Sequence, residues 1–294
     1  MNWRTADIEV VTEAVDVLGE GPLWDPGGER LFWVDIERRL LRSYRPGDGR
    51  LTEARLPQRP TAVVPRERGG LVVAIESGIA ALDDLDGSLE MLVPLEEDRS
   101  HNRLNDAKCA PDGRLFAGTM HEGGAERQAA LYRIDGDHSV TLVLSEVSLS
   151  NGLGWSPAGD TMYYIDTMTR GVDAFDYGLG SGELDRRRRI VTLAAEDGDP
   201  DGMTVDEAGF LWVALWGGGE VRRYGPDGRL DGTIELPATQ VTSCCFGGAS
   251  RNDLYITSAR LDLTPGQLGA EPLAGALFRV RVDTPGPPAA RFKG

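Results

Sequence analysis

The feature that most constrains this chain is a unit that recurs six times along it, with a period of roughly forty to fifty residues. Each copy opens on a turn of the Pro-Asp-Gly type. The turns lie at Trp24–Gly28, Pro65–Gly69, Ala110–Gly113, Trp155–Gly159, Val205–Gly209 and Phe246–Ser250. A short strand follows each: Leu31–Val34, Leu71–Ala74, Leu115–Gly118, Met162–Ile165, Leu211–Ala214 and Leu254–Thr257. These strands are rich in β-branched and aromatic residues, which suit a pleated, packed surface. Several lead into a partner strand, as at Leu41–Tyr44, Leu131–Ile134, Val221–Tyr224 and Leu277–Val280. No long stretch carries helical periodicity. The predicted fold is therefore all-β, a six-bladed β-propeller forming a single domain over residues 1–294. Radial repetition of this kind keeps sheet edges short and protected. The segment Ile8–Thr12 is expected to complete the last blade and close the ring. Two stacked β-sandwiches fit the regular period less well.

Composition narrows the function. With 294 residues and 40% hydrophobic content the chain can build a large core. It has no apolar run of about eighteen residues, so no membrane-spanning helix is expected. The opening Met-Asn-Trp-Arg-Thr-Ala-Asp lacks the apolar stretch of a signal peptide, which points to a cytoplasmic protein. A formal charge of −16 repels phosphate backbones, so nucleic acid and anionic membranes are poor partners. Lysine occurs only at Lys108 and Lys293. That excludes a P-loop and leaves little scope for Schiff-base chemistry. The run Arg186–Arg189 reads as a solvated turn between strands. Cys109, Cys244 and Cys245 form neither a disulfide framework nor a C-x-x-C pair, and read as small buried apolar residues.

Four segments carry polar groups where a plain blade needs apolar ones: Leu18–Trp24, Asn102–Lys108, Ser150–Pro157 and Asp199–Val205. Each lies a few residues ahead of its turn. In a propeller that position is the innermost strand, which lines the central channel. Equivalent positions converge on one axis, so Glu20, Asn105, Asn151 and Asp201 are brought together although far apart in sequence. Carboxylate and amide oxygens are hard donors suited to Ca²⁺, Mg²⁺ or Mn²⁺, and two carboxylates balance a divalent charge. Singly, each residue also reads as ordinary: Glu20 as an exposed turn residue, Asn151-Gly152 and Asp201-Gly202 as turn dipeptides. Their shared phase in the repeat favours a common site.

Other chemistries are poorly supported. Asp197–Gly202 matches the opening of an EF-hand loop, but the twelfth position is Ala208 rather than glutamate, and strands flank it. His101, His121 and His138 lack metalloprotease spacing and read as loop residues. The nearest approach to a nucleophile elbow is Gly154–Ala158, which ends in alanine. Trp24, Trp33, Trp155 and Trp212 read as blade-filling residues, and Trp216, ahead of Gly217–Gly219, as a candidate to face a ligand.

At these segments the chain resembles the senescence-marker protein/gluconolactonase family, which includes regucalcin. The resemblance rests on G-E-G-P-L-W at Gly19–Trp24, R-L-N-D-A-K at Arg103–Lys108, P-D-G-R-L-F-A-G-T-M at Pro111–Met120, S-N-G-L-G-W-S-P at Ser150–Pro157 and P-D-G-M at Pro200–Met203. A weaker match follows at Val241–Gly248. The resemblance implies a six-bladed propeller with one divalent metal ion, calcium first, with manganese, magnesium or zinc as alternatives. It implies metal ligation by Glu20, Asn151 and Asp201, with Asp201 doubling as general base. It implies substrate contacts by Arg103 and Asn105, and by Glu122 in the loop His121–Arg127. The implied activity is hydrolysis of a small sugar lactone such as gluconolactone. A metal-dependent phosphotriesterase or acyl-lactone hydrolase, and a non-catalytic calcium-binding regulatory protein, are the alternatives.

Overall fold

The computed structural model describes residues 2–3, 8–13 and 15–294. Its strands form six antiparallel sheets in chain order around a central channel. Blade one starts with the inner strand Gly19–Asp25 and continues through Arg30–Asp35, Leu40–Arg45 and Arg50–Arg55. The inner strands of blades two to five are Pro60–Pro65, Asn102–Cys109, Ser150–Trp155 and Asp199–Val205. Each is followed by three further strands, ordered from the axis outward. Blade six begins with Val241–Gly247 and continues through Asp253–Ser258 and Leu277–Arg281. Its fourth strand is Ile8–Thr12, antiparallel to Leu277–Arg281, with Ile8 opposite Val280 and Glu9 opposite Arg279. The ring closes as the repeat predicts. Asn2–Trp3 adds a short parallel edge to the outermost strand of blade five, Leu230–Glu235.

The core is divided as the blades are. Six hydrophobic clusters occupy the six seams between neighbouring blades. Phe32, Val34, Val63 and Val73 fill the seam of blades one and two, and Trp212, Val241 and Phe278 that of five and six. The closing seam holds Trp24, Trp33, Tyr255 and Leu277, with the rings of Trp24 and Tyr255 stacked at 5.9 Å. Trp24, Trp33, Trp155 and Trp212 are all buried in these seams, and Trp216 packs partly buried against the cluster of blades one and two. Cys109 and Cys244 are buried and Cys245 half-buried, all as free thiols.

Two expectations need correction. Arg186–Arg189 is not a turn but part of the outermost strand of blade four, Leu184–Thr192. Its side chains alternate: Arg187 and Arg189 pair with Asp173, and Arg186 and Arg188 with Asp176. Both faces of an outermost strand are wet, so a charge run is stable there. His121 ends the strand Leu115–His121 rather than lying in a loop. Among the described residues, no helix is long and apolar enough to cross a membrane.

Candidate active site

In every blade the ladder between the inner strand and its neighbour breaks at one place. The breaks fall between Glu20 and Leu23, Pro60 and Ala62, Leu104 and Ala107, Ser150 and Leu153, Pro200 and Met203, and Val241 and Ser243. Such irregularities re-aim side chains. At or inside them stand Glu20, Thr61, Asn105, Asp106, Asn151, Asp201 and Thr242. The neighbouring glycines have distinct uses. Gly21 has φ +53°, a conformation costly for any residue with a side chain. At Gly202 a Cβ would lie 2.1 Å from Ser243 Oγ, so blades five and six come together only because no side chain stands there.

A hydrogen-bonded relay joins three blades. Arg103 is buried, and its Nη1 donates to the Leu104 carbonyl at 2.8 Å and to Asn105 Oδ1 at 2.9 Å. Asn105 Nδ2 donates to the Ser150 carbonyl at 2.9 Å and to Asn151 Oδ1 at 3.0 Å. Asn151 Nδ2 donates to Thr167 Oγ1 at 2.8 Å, which donates to the Pro200 carbonyl at 2.8 Å. The chain thus runs from Arg103 to the residue before Asp201. Both amides have their oxygen and nitrogen assigned by it. Asn151 Oδ1 keeps a lone pair for a further partner.

The carboxylates are less well satisfied. The backbone N–H of Gly21 donates to Glu20 Oε2 at 3.0 Å. Burial, then the charge of Asp106, pushes the Glu20 carboxyl up to about 8. Burial, then Glu20, Asp106 and Asp199, holds Asp201 well above the usual carboxylate range. Burial also raises Asp106, against the pull of Lys108. Lys108 itself donates to the Met203 carbonyl at 2.6 Å. Burial and mutual repulsion thus outweigh the pull of Arg103 and Lys108 on these like charges. Two carboxylates and an amide oxygen make a hard donor set that fits a divalent ion. Among the described residues no three His, Cys, Asp or Glu side chains gather in metal-binding range; the candidate set has only two such residues, with Asn151 as its third member.

Glu122 stands at the rim, just beyond the strand Leu115–His121, with its side chain 41% exposed. Its Oε1 accepts from Arg59 Nη2 at 2.5 Å and lies 3.9 Å from Arg103 Nε. The six residues singled out in the sequence thus divide into an interior group, Glu20, Arg103, Asn105, Asn151 and Asp201, and Glu122 on the rim. Sequence reasoning missed Thr167, Asp106 and Arg59. Asp106 had a signal, since it follows Asn105 inside the same polar segment. Thr167 sits in a 3₁₀ turn, Thr167–Thr169, outside every inner strand.

Known proteins are similar to this chain along nearly its full length. A family model described as SMP-30/Gluconolactonase/LRE-like region matches residues 18–260. Regucalcin of Oryctolagus cuniculus is 38% identical over 268 residues, covering 89% of this chain and 90% of that protein. A Bacillus subtilis (strain 168) protein with the provisional name sugar lactone lactonase YvrE is 37% identical over 290 residues, 98% of this chain and 99% of that one. Among solved structures, a calcium-binding protein, regucalcin, from Agrobacterium tumefaciens superposes with a TM-score of 0.94 at 28% identity, covering 99% of this chain and 98% of the other. A luciferin-regenerating enzyme superposes with a TM-score of 0.91 at 31% identity, covering 98% and 99%.

Proposed function

Because the chain belongs to the SMP-30/gluconolactonase/LRE-like family, we propose that it is a divalent-metal-dependent lactonase, one propeller domain that opens a small sugar lactone such as gluconolactone to the sugar acid. The observation that carries this reading is the convergence, in one channel, of two carboxylates with raised proton affinity and the relay from Arg103 through Asn105 to Asn151. The relatives named for lactone hydrolysis and for calcium binding support its two halves.

Glu20, Asn151 and Asp201 would hold the cation, calcium first, with manganese, magnesium or zinc as alternatives. When bound, such an ion supplies Lewis-acid polarisation of a carbonyl. The chain's own residues do the rest. Asp201 accepts a proton from the attacking water; beside a bound divalent ion its carboxyl would stay ionised and so be free to act as the base. The water oxygen bonds to the lactone carbonyl carbon and the ring C–O bond breaks. The proton held by Asp201 passes to the departing ring oxygen. Arg103, fixed by two hydrogen bonds to its own strand, stabilises the developing carboxylate by charge-assisted bonds. Asn105 is locked between Arg103 and Asn151, and its rigidity orients substrate hydroxyls at no cost in new order.

The test is lactone hydrolysis by the purified protein in a pH-stat, after chelation and after return of Ca²⁺, Mn²⁺, Mg²⁺ or Zn²⁺. Turnover of aldonolactones is expected only with metal. In Asp201→Ala kcat falls by roughly 10²–10⁴, the range of a lost general base. Tight metal binding with no turnover of any lactone sinks the reading and favours a calcium-binding protein without catalysis.

A further inference from the structure

One residue before the inner strand of blade two, Arg59 gathers carboxylates from three blades. Its Nε donates to Glu76 Oε1 at 2.5 Å and its Nη2 to Glu122 Oε1 at 2.5 Å, while Nη1 lies 3.5 Å from Glu37 Oε1. The backbone anchors the same residue. Arg59 N–H donates to Glu76 Oε2 at 3.1 Å, and Glu76 N–H donates to the Arg59 carbonyl at 3.1 Å. Arg59 is thereby tied to Glu76 at both its backbone and its guanidinium. Glu122 is tied in turn: its N–H donates to the His101 carbonyl at 2.9 Å, and Arg103 Nε faces the same Oε1 at 3.9 Å.

Every one of these side-chain contacts to Glu122 uses Oε1. A carboxylate accepts at both oxygens, so Oε2 keeps its lone pairs for a new donor. The side chain is 41% exposed and Arg103 beneath it only 8%. Glu122 therefore offers an acceptor at the rim of the channel, directly beside the guanidinium assigned to substrate. Two cations, Arg59 and Arg103, face three carboxylates, Glu37, Glu76 and Glu122, in this cluster.

We infer that Arg59 is a positioning residue for substrate specificity: by pinning Glu122 Oε1 it presents Oε2 to a hydroxyl of the bound lactone, and so selects hydroxylated lactones over plain ones. The inference rests on the lactonase reading. The physical reason is preorganisation. An exposed glutamate loses much side-chain freedom when it binds a ligand, and Arg59 removes that freedom beforehand. Without Arg59, Arg103 is the nearest cation for Glu122, and the carboxylate would close over the group that substrate must reach.

The experiment measures kcat and KM of the metal-loaded enzyme on glucono-δ-lactone and on δ-valerolactone, which has no hydroxyl groups. The variants are Arg59→Met, Arg59→Lys, Glu122→Gln and the Met/Gln double variant, each checked for folding by its melting temperature. In Arg59→Met the ratio of kcat/KM on the two lactones falls roughly tenfold, through KM on the sugar lactone, as expected for lost binding rather than lost chemistry. Glu122→Gln lowers the ratio similarly, the double variant adds little, since the two residues act as one unit, and Arg59→Lys recovers part of it. Equal losses on both lactones, or losses that multiply in the double variant, overturn the assignment. Should Arg59→Met fail to fold, Arg59→Lys against Glu122→Gln decides: an unchanged ratio in both overturns it. A wild type inactive on both lactones overturns the lactonase reading and this assignment together; an active wild type with unchanged ratios in the variants overturns this assignment alone.

Discussion

Blades two and six share the broken inner ladder of the other four, yet they place threonine where blades one, three, four and five place Glu20, Asn105, Asn151 and Asp201. Thr61 and Thr242 are both buried. Each hydroxyl turns to a neighbouring carbonyl, Thr61 Oγ1 to Ala74 O at 3.5 Å and Thr242 Oγ1 to Gly19 O at 2.6 Å. A short hydroxyl is satisfied within the wall. A carboxylate at the same place accepts but cannot donate when ionised, and so it awaits a cation or a proton. The bulge is common to the ring; the chemistry belongs to the side chain set upon it.

The sharpest way to break this contrast is metal affinity. Glu20→Gln removes a charge of the cation site and weakens Ca²⁺ binding by at least about 100-fold, the upper range seen even for residues behind the ligands. Thr61→Val leaves affinity within about twofold, because it removes no charged oxygen donor to the cation. Titration calorimetry decides, and a comparable loss in Thr61→Val would erase the distinction between the two kinds of blade.

Proton linkage sharpens the contrast next. Glu20 titrates at 4.5 in an ordinary setting and is pushed up to about 8 in the channel, with Asp201 shifted the same way. The folded protein without metal thus binds these protons more tightly than the unfolded chain. That contribution to stability is fully present below about 4.5 and is lost as pH rises through about 8. The chelated protein should therefore lose melting temperature over that window relative to the Ca²⁺-saturated protein, in which the cation takes the place of the protons. Parallel curves for the two forms would show that the channel carboxylates do not answer to metal.

The smallest expected effect separates the two threonines. Thr242→Val strips the buried Gly19 carbonyl of its 2.6 Å donor and costs about 1–2 kcal/mol in urea unfolding. Thr61→Val, whose hydroxyl reaches its carbonyl only at 3.5 Å, costs roughly 0.5 kcal/mol or less. Equal costs would mean that blade six does not hold blade one through Thr242.

Period and phase carried most of what could be read beforehand. The six turns and the apolar strands behind them define the blades, because each strand must fill a seam. Glu20, Asn105, Asn151 and Asp201 were legible as polar residues at a shared phase. Thr61 and Thr242 hold the same phase but look like ordinary β-formers. Arg59 was illegible for another reason. It lies outside the repeat, and its partners Glu37, Glu76 and Glu122 come from three blades, so only the assembled rim brings them together. Arg186–Arg189 misled because four adjacent cations suggest a turn. Only the third strand of blade four, with Asp173 and Asp176, supplies partners on both faces.

The pairing of Ile8–Thr12 with Leu277–Arg281 has a consequence for how the molecule is born. Synthesis delivers the first of these strands well before the second, with five blades in between. Blades one to five can assemble before the strand Leu277–Arg281 is made, but blade six must wait for it, with its fourth strand idle until then. Glu20 on blade one and Asp201 on blade five sit on either side of that late blade. They become neighbours only when the circle is sealed, so a nascent chain would lack the proposed cation site. On the proposed reading, an ion that arrives afterwards would bridge both flanks of the final seam and act as its clasp.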